Sequence, residues 1–198
     1  GDFVSFLEAA RSAGVYVWAD ITPPSEPPHA DPYGMDYVAW AKDFADLSLK
    51  YPNFVAFTID DFEGNLKTFS PSYVREMREA YRAINPALAF IPTVYGGEQV
   101  SSFPSFRDFI EVYGDYVDGI LLPYIDLTSS NDLSRVLSSA REALGNKVLM
   151  AFIYAAPTSW HRDFPTLEYL WKALTTSYLY ADGVMTYVLP LTPESHYE

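Results

Sequence analysis

Apolar positions along the chain alternate between two periods. From Phe3 to Ala13 they recur every three to four residues. Phe3, Phe6, Leu7 and Ala10 share one helix face, and Gly14 stops it. The run Val15-Tyr16-Val17-Trp18-Ala19-Asp20-Ile21 predicts a strand. Thr22 to Pro32 carries five prolines and predicts a loop. Tyr37, Trp40, Ala41, Phe44 and Leu47 set a helical period over 36–50, and Phe54 to Ile59 is an almost wholly apolar strand.

The same unit then recurs. Ser70-Pro71 opens a helix that Asn85-Pro86 ends, before a strand from Leu88 to Val94. Helices over 105–116, 132–144 and 166–180 precede strands at 120–124, 148–154 and 184–189. The stretch Tyr116-Val117-Asp118-Gly119-Ile120 is echoed by Tyr180-Ala181-Asp182-Gly183-Val184. Six helix-then-strand units, with strands apolar on both faces, predict an α/β fold with parallel strands. The chain reads as one domain over residues 1–198.

Barrel and open sheet both satisfy this alternation. An open nucleotide-binding sheet carries a glycine-rich turn after an early strand, and Gly96-Gly97 matches no such pattern. Polar or aromatic residues close all six strands instead, which fits a (β/α) TIM-type barrel that gathers strand ends around one pocket. A full barrel has eight strands and about 250 residues. The expectation is therefore a truncated barrel, strands three to eight, with Gly1 inside a longer protein. A complete six-stranded fold is the alternative.

Composition narrows the chemistry. The 198 residues include 26 Asp and Glu against 13 Lys and Arg, a net charge of −13, which argues against a nucleic-acid partner. With no cysteine there is no thiol nucleophile and no disulfide framework. No apolar run reaches the roughly 18 residues of a membrane span. The first residues do not read as a secretory leader. The three histidines, His29, His161 and His196, lack metal-ligand spacing, so neither metal nor cofactor is expected. Compartment and oligomeric state are not written in the chain.

The sharpest chemical feature is Phe57-Thr58-Ile59-Asp60-Asp61, two adjacent carboxylates at the end of an apolar strand. Their mutual repulsion raises the pKa of one of them, which suits a general acid at neutral pH. Counted back from the C-terminus, this is barrel strand four. There the sequence resembles the substrate-assisted β-N-acetylglucosaminidases of the O-GlcNAc hydrolase and hyaluronidase-like branch, which carry an adjacent Asp-Asp in such a context. The resemblance implies that Asp60 polarises a 2-acetamido group and that Asp61 is the general acid/base. The acetamido oxygen would be the nucleophile. The chitinase pattern is absent, because Phe62 follows Asp61. The penultimate strand ends Phe152-Ile153-Tyr154-Ala155-Ala156, without the carboxylate that a conventional retaining barrel places there.

Further strand-end residues suit a carbohydrate pocket: Trp18, Asp20, Tyr95, Glu98, Tyr124, Asp126, Tyr154, Trp160 and Tyr187. Trp18 and Trp160 are stacking platforms, with core packing the alternative for Trp18. Asp126 binds hydroxyls or fixes its own loop. Tyr95 and Tyr187 contact sugar or pack in the core. Glu63 is expected in a solvated loop. The functional expectation is a glycoside hydrolase-like barrel with a carbohydrate substrate. The alternatives are a non-catalytic carbohydrate-binding barrel, or a metal-dependent hydrolase using Asp60, Asp61 and Glu98.

Overall fold

A computed structural model of the chain describes residues 2–95, 103–159 and 161–187. Among them run six alternating helices and strands. These are α1 (Asp2–Ser12), β1 (Val17–Ile21), α2 (Tyr37–Lys50), β2 (Phe54–Ile59), α3 (Pro71–Arg82) and β3 (Ala89–Phe90), then α4 (Phe106–Tyr113), β4 (Gly119–Tyr124), α5 (Leu133–Leu144), β5 (Val148–Tyr154), α6 (Leu167–Tyr180) and β6 (Gly183–Tyr187). The alternation expected from periodicity is present, and every strand pairing is parallel. The strands form two three-stranded sheets, ordered β1-β2-β3 and β4-β5-β6. The pairing does not draw a closed barrel. Residues group into two compact units: 1–93 with 112–118, and 94–111 with 119–198.

In the first unit, local chemistry fixes the helix starts. Asp36 caps α2 by accepting the Ala39 N–H at 3.0 Å, and Ser70 caps α3 by accepting that of Tyr73 at 3.3 Å, with Pro71 just inside. The core is aromatic. Phe57 of β2 stacks on Phe90 of β3 at 4.9 Å and meets Phe44 of α2 and Tyr81 of α3 edge-on. A second cluster lies under the chain that follows β2: Phe62 stacks on Phe69 at 4.9 Å, and the buried Tyr113 hydroxyl donates to the Phe69 carbonyl. β3 is shorter than the 88–94 expected. Pro92 has no N–H to donate, although Ile91 and Thr93 still donate to Phe57 and Ile59 of β2.

In the second unit, all of β4 is buried, and α5 and α6 pack on the sheet through Leu137, Ala140, Tyr169 and Ala173. Gly119 opens β4 against β5 so closely that a Cβ there would lie 2.2 Å from the Val148 carbonyl oxygen. Thr166 caps α6 through the Tyr169 N–H at 3.1 Å.

The Asp-Gly echo is a structural device used once in each unit. Asp118 donates its N–H to the Phe90 carbonyl, and its carboxylate takes the Phe90 N–H at 2.9 Å. The same carboxylate pairs with Arg78 at 3.4 Å and with Arg82, both on α3. Asp182 does likewise with Leu149 of β5, at 2.8 Å for both bonds, and with Arg141 of α5 at 2.5 Å. Within the first unit Asp118 ties the chain after α4 to β3 and to α3, and within the second Asp182 ties the start of β6 to β5 and to α5.

Asp118→Ala leaves the buried Phe90 N–H without its side-chain acceptor and removes the carboxylate from Arg78 and Arg82, which keep the Tyr116 and Pro86 carbonyls. It costs about 2–3 kcal/mol, read from urea unfolding. Asp182→Ala costs less, because its side chain is 52% solvent-accessible against 20% for Asp118. Gly119→Ala forces backbone to move and costs at least about 2 kcal/mol. Equal losses at Asp118 and Asp182 would refute this ranking.

Candidate functional site

Parallel strands deliver their C-terminal ends to the same side of a sheet. In the first unit those ends carry acids. β1 and β2 run in register with Asp20 opposite Thr58 and Ile21 opposite Ile59. The alternation along β1 buries Val17, Ala19 and Ile21 on one face and turns Trp18 and Asp20 to the other. Asp60, one step past β2, directs its backbone N–H at the Asp20 carboxylate, and Ile21 supplies a second N–H.

Asp60 is itself braced. Its Oδ1 accepts the Asp61 N–H at 2.9 Å, and its carboxylate takes a hydrogen bond from the buried Thr93 hydroxyl, which lies 3.5 Å from that of Thr58. Asp61 turns the chain through a left-handed backbone, φ 43°, which Asp tolerates better than most residues. A short 3-10 helix, Phe62–Asn65, follows, and the Asn65 side-chain amide closes it onto the Asp61 carbonyl at 2.9 Å. This turn overturns the expectation for Glu63: it is 2% exposed, not solvated, because Phe62 anchors the turn in the aromatic core.

Four carboxylates therefore share one electrostatic neighbourhood: Asp20, Glu26 from the proline loop, Asp60 and Asp61. Asp20 keeps solvent-accessible surface, yet surrounding protein strips much of its water. That loss of hydration, then the charges of Asp60 and Glu26, pushes its carboxyl up to about 7 against the two N–H groups that favour the anion. Asp60 is also held above the usual carboxylate range, first by burial and then by the Asp61 charge. Glu26 is raised by partial burial, then by Asp60 and Asp61.

Beside Asp20 lies a cavity of about 650 Å3, walled by Phe3 of α1, Trp18, Trp40 and Asp43 of α2, and Asp31. Trp18 thus stands in the cavity wall rather than in the closed core.

In the second unit, Tyr124 and Asp126 serve their own loop. Tyr124 is buried and donates its hydroxyl to the Ser129 carbonyl at 2.9 Å. Burial, then the nearby Asp126 charge, pushes that phenol up to about 12. Asp126 accepts the Thr128 N–H at 2.9 Å, the Thr128 hydroxyl at 2.7 Å and the Ser129 N–H at 3.0 Å. Reduced hydration raises its carboxyl, but these bonds outweigh it and hold the group below the usual range. Tyr154 is buried and stacks on Phe152 at 4.8 Å, with the half-exposed Tyr187 at 5.6 Å. Tyr95 is half-buried. Glu98, Trp160 and His196 lie outside the described residues. Among the described residues no three His, Cys, Asp or Glu side chains are arranged to hold one metal ion, and no helix is long and apolar enough to cross a membrane.

Glu26 and Thr93 are absent from the sequence-derived set. No local pattern marks Glu26, whereas Thr58 and Thr93 stand out as lone polar positions among apolar residues.

No family model matches the chain, and no curated protein matches it. Solved structures do. The chain is similar to the GH53 catalytic domain of Ignisphaera aggregans, with TM-score 0.64 and 11% identity over 93% of this chain and 65% of that one. It is similar to an endo-β-1,4-mannanase of Cellulomonas fimi, with TM-score 0.63 and 14% identity over 94% of this chain and 51% of that one. It is also similar to the β-D-glucuronidase of Dictyoglomus thermophilum, with TM-score 0.62 and 14% identity over 98% and 37%. The chain thus spans between about a third and two thirds of these proteins. They are glycoside hydrolases with TIM-barrel catalytic domains, not of the β-N-acetylglucosaminidase type. At these identities the likeness establishes the fold.

The Asp20 carboxyl is expected to titrate with a midpoint near 7 by carbon-detected NMR. The folded chain holds this proton up to that pH, whereas an unfolded Asp releases it near about 4. Folding therefore binds protons between those values, and this group's contribution to stability falls as pH rises through the window. Asp20→Asn removes the fall. Above pH 7 the variant gains about 1 kcal/mol after solvent screening, or about 2–4 °C in Tm, and the gain vanishes below about pH 4. Parallel Tm–pH curves for the two proteins would contradict this.

Proposed function

We propose that the chain is the acid-bearing part of a glycoside hydrolase barrel, contributing six of its eight strands as a single domain. The observation that carries this reading is the set of carboxylates at the ends of β1 and β2, with Asp20 and Asp60 both held above the ordinary range. Glycosidic cleavage needs a proton donor for the leaving oxygen near neutral pH and an anionic group beside it. Likeness to glycoside hydrolase folds supports the assignment.

The finer reading gives each acid a role. Asp61 protonates the leaving oxygen and then takes a proton from the incoming water. Asp60, braced by Thr93 and the Asp61 N–H, orients and polarises the 2-acetamido group of the sugar, whose oxygen attacks the anomeric carbon. Asp20, neutral below about pH 7, spares Asp60 a second anionic neighbour. Trp18 offers an apolar face to the sugar ring. Tyr95, Glu98, Tyr154, Trp160 and Tyr187 belong to the proposed carbohydrate contacts, and so do Tyr124 and Asp126, which also brace their own loop through Thr128 and Ser129.

The test is hydrolysis of aryl β-glycosides by the intact protein. The panel contains glucoside, mannoside, galactoside, glucuronide and 2-acetamido-2-deoxyglucoside. Asp61→Asn is expected to lower kcat/KM at least about 100-fold on poor leaving groups and far less on nitrophenolate, which needs no acid. Fluorination of the acetamido methyl is expected to slow the parent enzyme, because it weakens the attacking oxygen. Full activity of Asp61→Asn on poor leaving groups removes Asp61 from the mechanism. Turnover only of sugars without the acetamido group refutes substrate assistance but leaves the hydrolase. Binding with no turnover of any glycoside favours the non-catalytic reading.

A further inference from the structure

We propose that the cavity beside Asp20 is a binding site for an organic cation, a ligand with an ammonium head on an apolar or aromatic body. The inference stands on the cavity; it shares Trp18 and Asp20 with the proposed hydrolytic site but does not rest on that reading.

Its volume of about 650 Å3 is that of a small-molecule site. Every ionisable group in its wall is acidic: Asp20, Asp31 and Asp43. The remaining wall is apolar, dominated by rings of Phe3, Trp18 and Trp40. A negative field over aromatic faces is the arrangement that attracts an ammonium group, since the ring quadrupole and the carboxylates act on the same charge. An anionic ligand meets only carboxyl groups and no positively charged side chain in the wall. Neutral ligands gain only the apolar contact.

The rings are held before a ligand arrives. The Trp40 indole N–H donates to the Gly34 carbonyl at 3.0 Å, Tyr33 meets the Trp40 ring edge-on at 5.0 Å, and Phe44 backs it at 5.5 Å. Phe3 is wedged between Phe44 at 6.1 Å and Phe54 at 5.4 Å. Pre-set walls reduce the ordering cost of binding.

The experiment titrates the intact protein with benzyltrimethylammonium, with its neutral carbon isostere neopentylbenzene and with phenylacetate, by ligand-observed NMR. The cation is expected to bind at least about tenfold more tightly than the isostere, with phenylacetate undetected. The double variant Asp31→Asn/Asp43→Asn touches no group of the proposed hydrolytic set and is expected to lose at least about half of that preference. Raising salt weakens the cation more than the isostere. Trp40→Leu, if folded, weakens both ligands and the cation more. Equal affinity for cation and isostere, binding of phenylacetate, or a double variant with unchanged preference each overturn the proposal. Hydrolytic assays on the same preparations report separately, so loss of one reading leaves the other standing.

Discussion

The candidate site depends on one constraint, the register of β1 against β2. With Ile21 opposite Ile59, β2 hands on to Asp60 just where β1 presents Asp20, and the Asp60 N–H meets the Asp20 carboxylate. A slip of one residue would turn Trp18 and Asp20 toward the buried face and bring Val17, Ala19 and Ile21 out. Burial of those three apolar side chains holds the register. The irregularity between Val17 and Trp18 lies at the far end of the strand, so it leaves the acidic end undisturbed.

That register brings anions together at a cost to folding. Carboxylates that share a neighbourhood repel, and partial loss of water adds to the penalty. The chain offsets it with hydrogen bonds aimed at the charges: the Ile21 and Asp60 N–H groups on Asp20, and the Asp61 N–H with the Thr93 hydroxyl on Asp60. The remaining penalty raises the Asp20 and Asp60 carboxyls above the ordinary range. The aromatic cluster of Phe57, Phe90, Phe62 and Phe69 beneath supplies rigid support. Local conflict on a consistent scaffold is expected of functional sites rather than of stabilising ones.

Much of this was legible in the chain itself. Helix and strand periods located all six units, and β2 and β5 begin and end where their apolar runs do. Strand ends pointed to Asp20, Asp60 and Asp61. The weak points have physical causes. β3 ends early although Ile91 and Thr93 still donate to β2, because a hydrophobic pattern marks burial and not the extent of the regular ladder. Glu63 looked solvated because polarity along the chain says nothing of a turn that folds back into a core. The rank of Asp20 above Asp60 depends on a cross-strand register, and Glu26 depends on the path of a proline loop. Neither is encoded in neighbouring residues.

The same residue type has opposite work at the two ends of the strands. Asp118 and Asp182 directly precede the glycines that open β4 and β6, and each pairs with arginine and accepts a main-chain N–H, of Phe90 and Leu149 respectively. Their charge is matched, so it contributes to register and stability. Asp20 and Asp60 stand where strands end, and no ion pair among the described residues involves either of them or Glu26. A chain selecting only for stability would match or remove such charges, because an unmatched carboxylate in a partly dry place is unfavourable. Among these five acids the two roles are distinct: Asp118 and Asp182 pin main chain through arginine-matched charge, whereas Asp20, Asp60 and Glu26 gather near the strand ends outside any ion pair among the described residues.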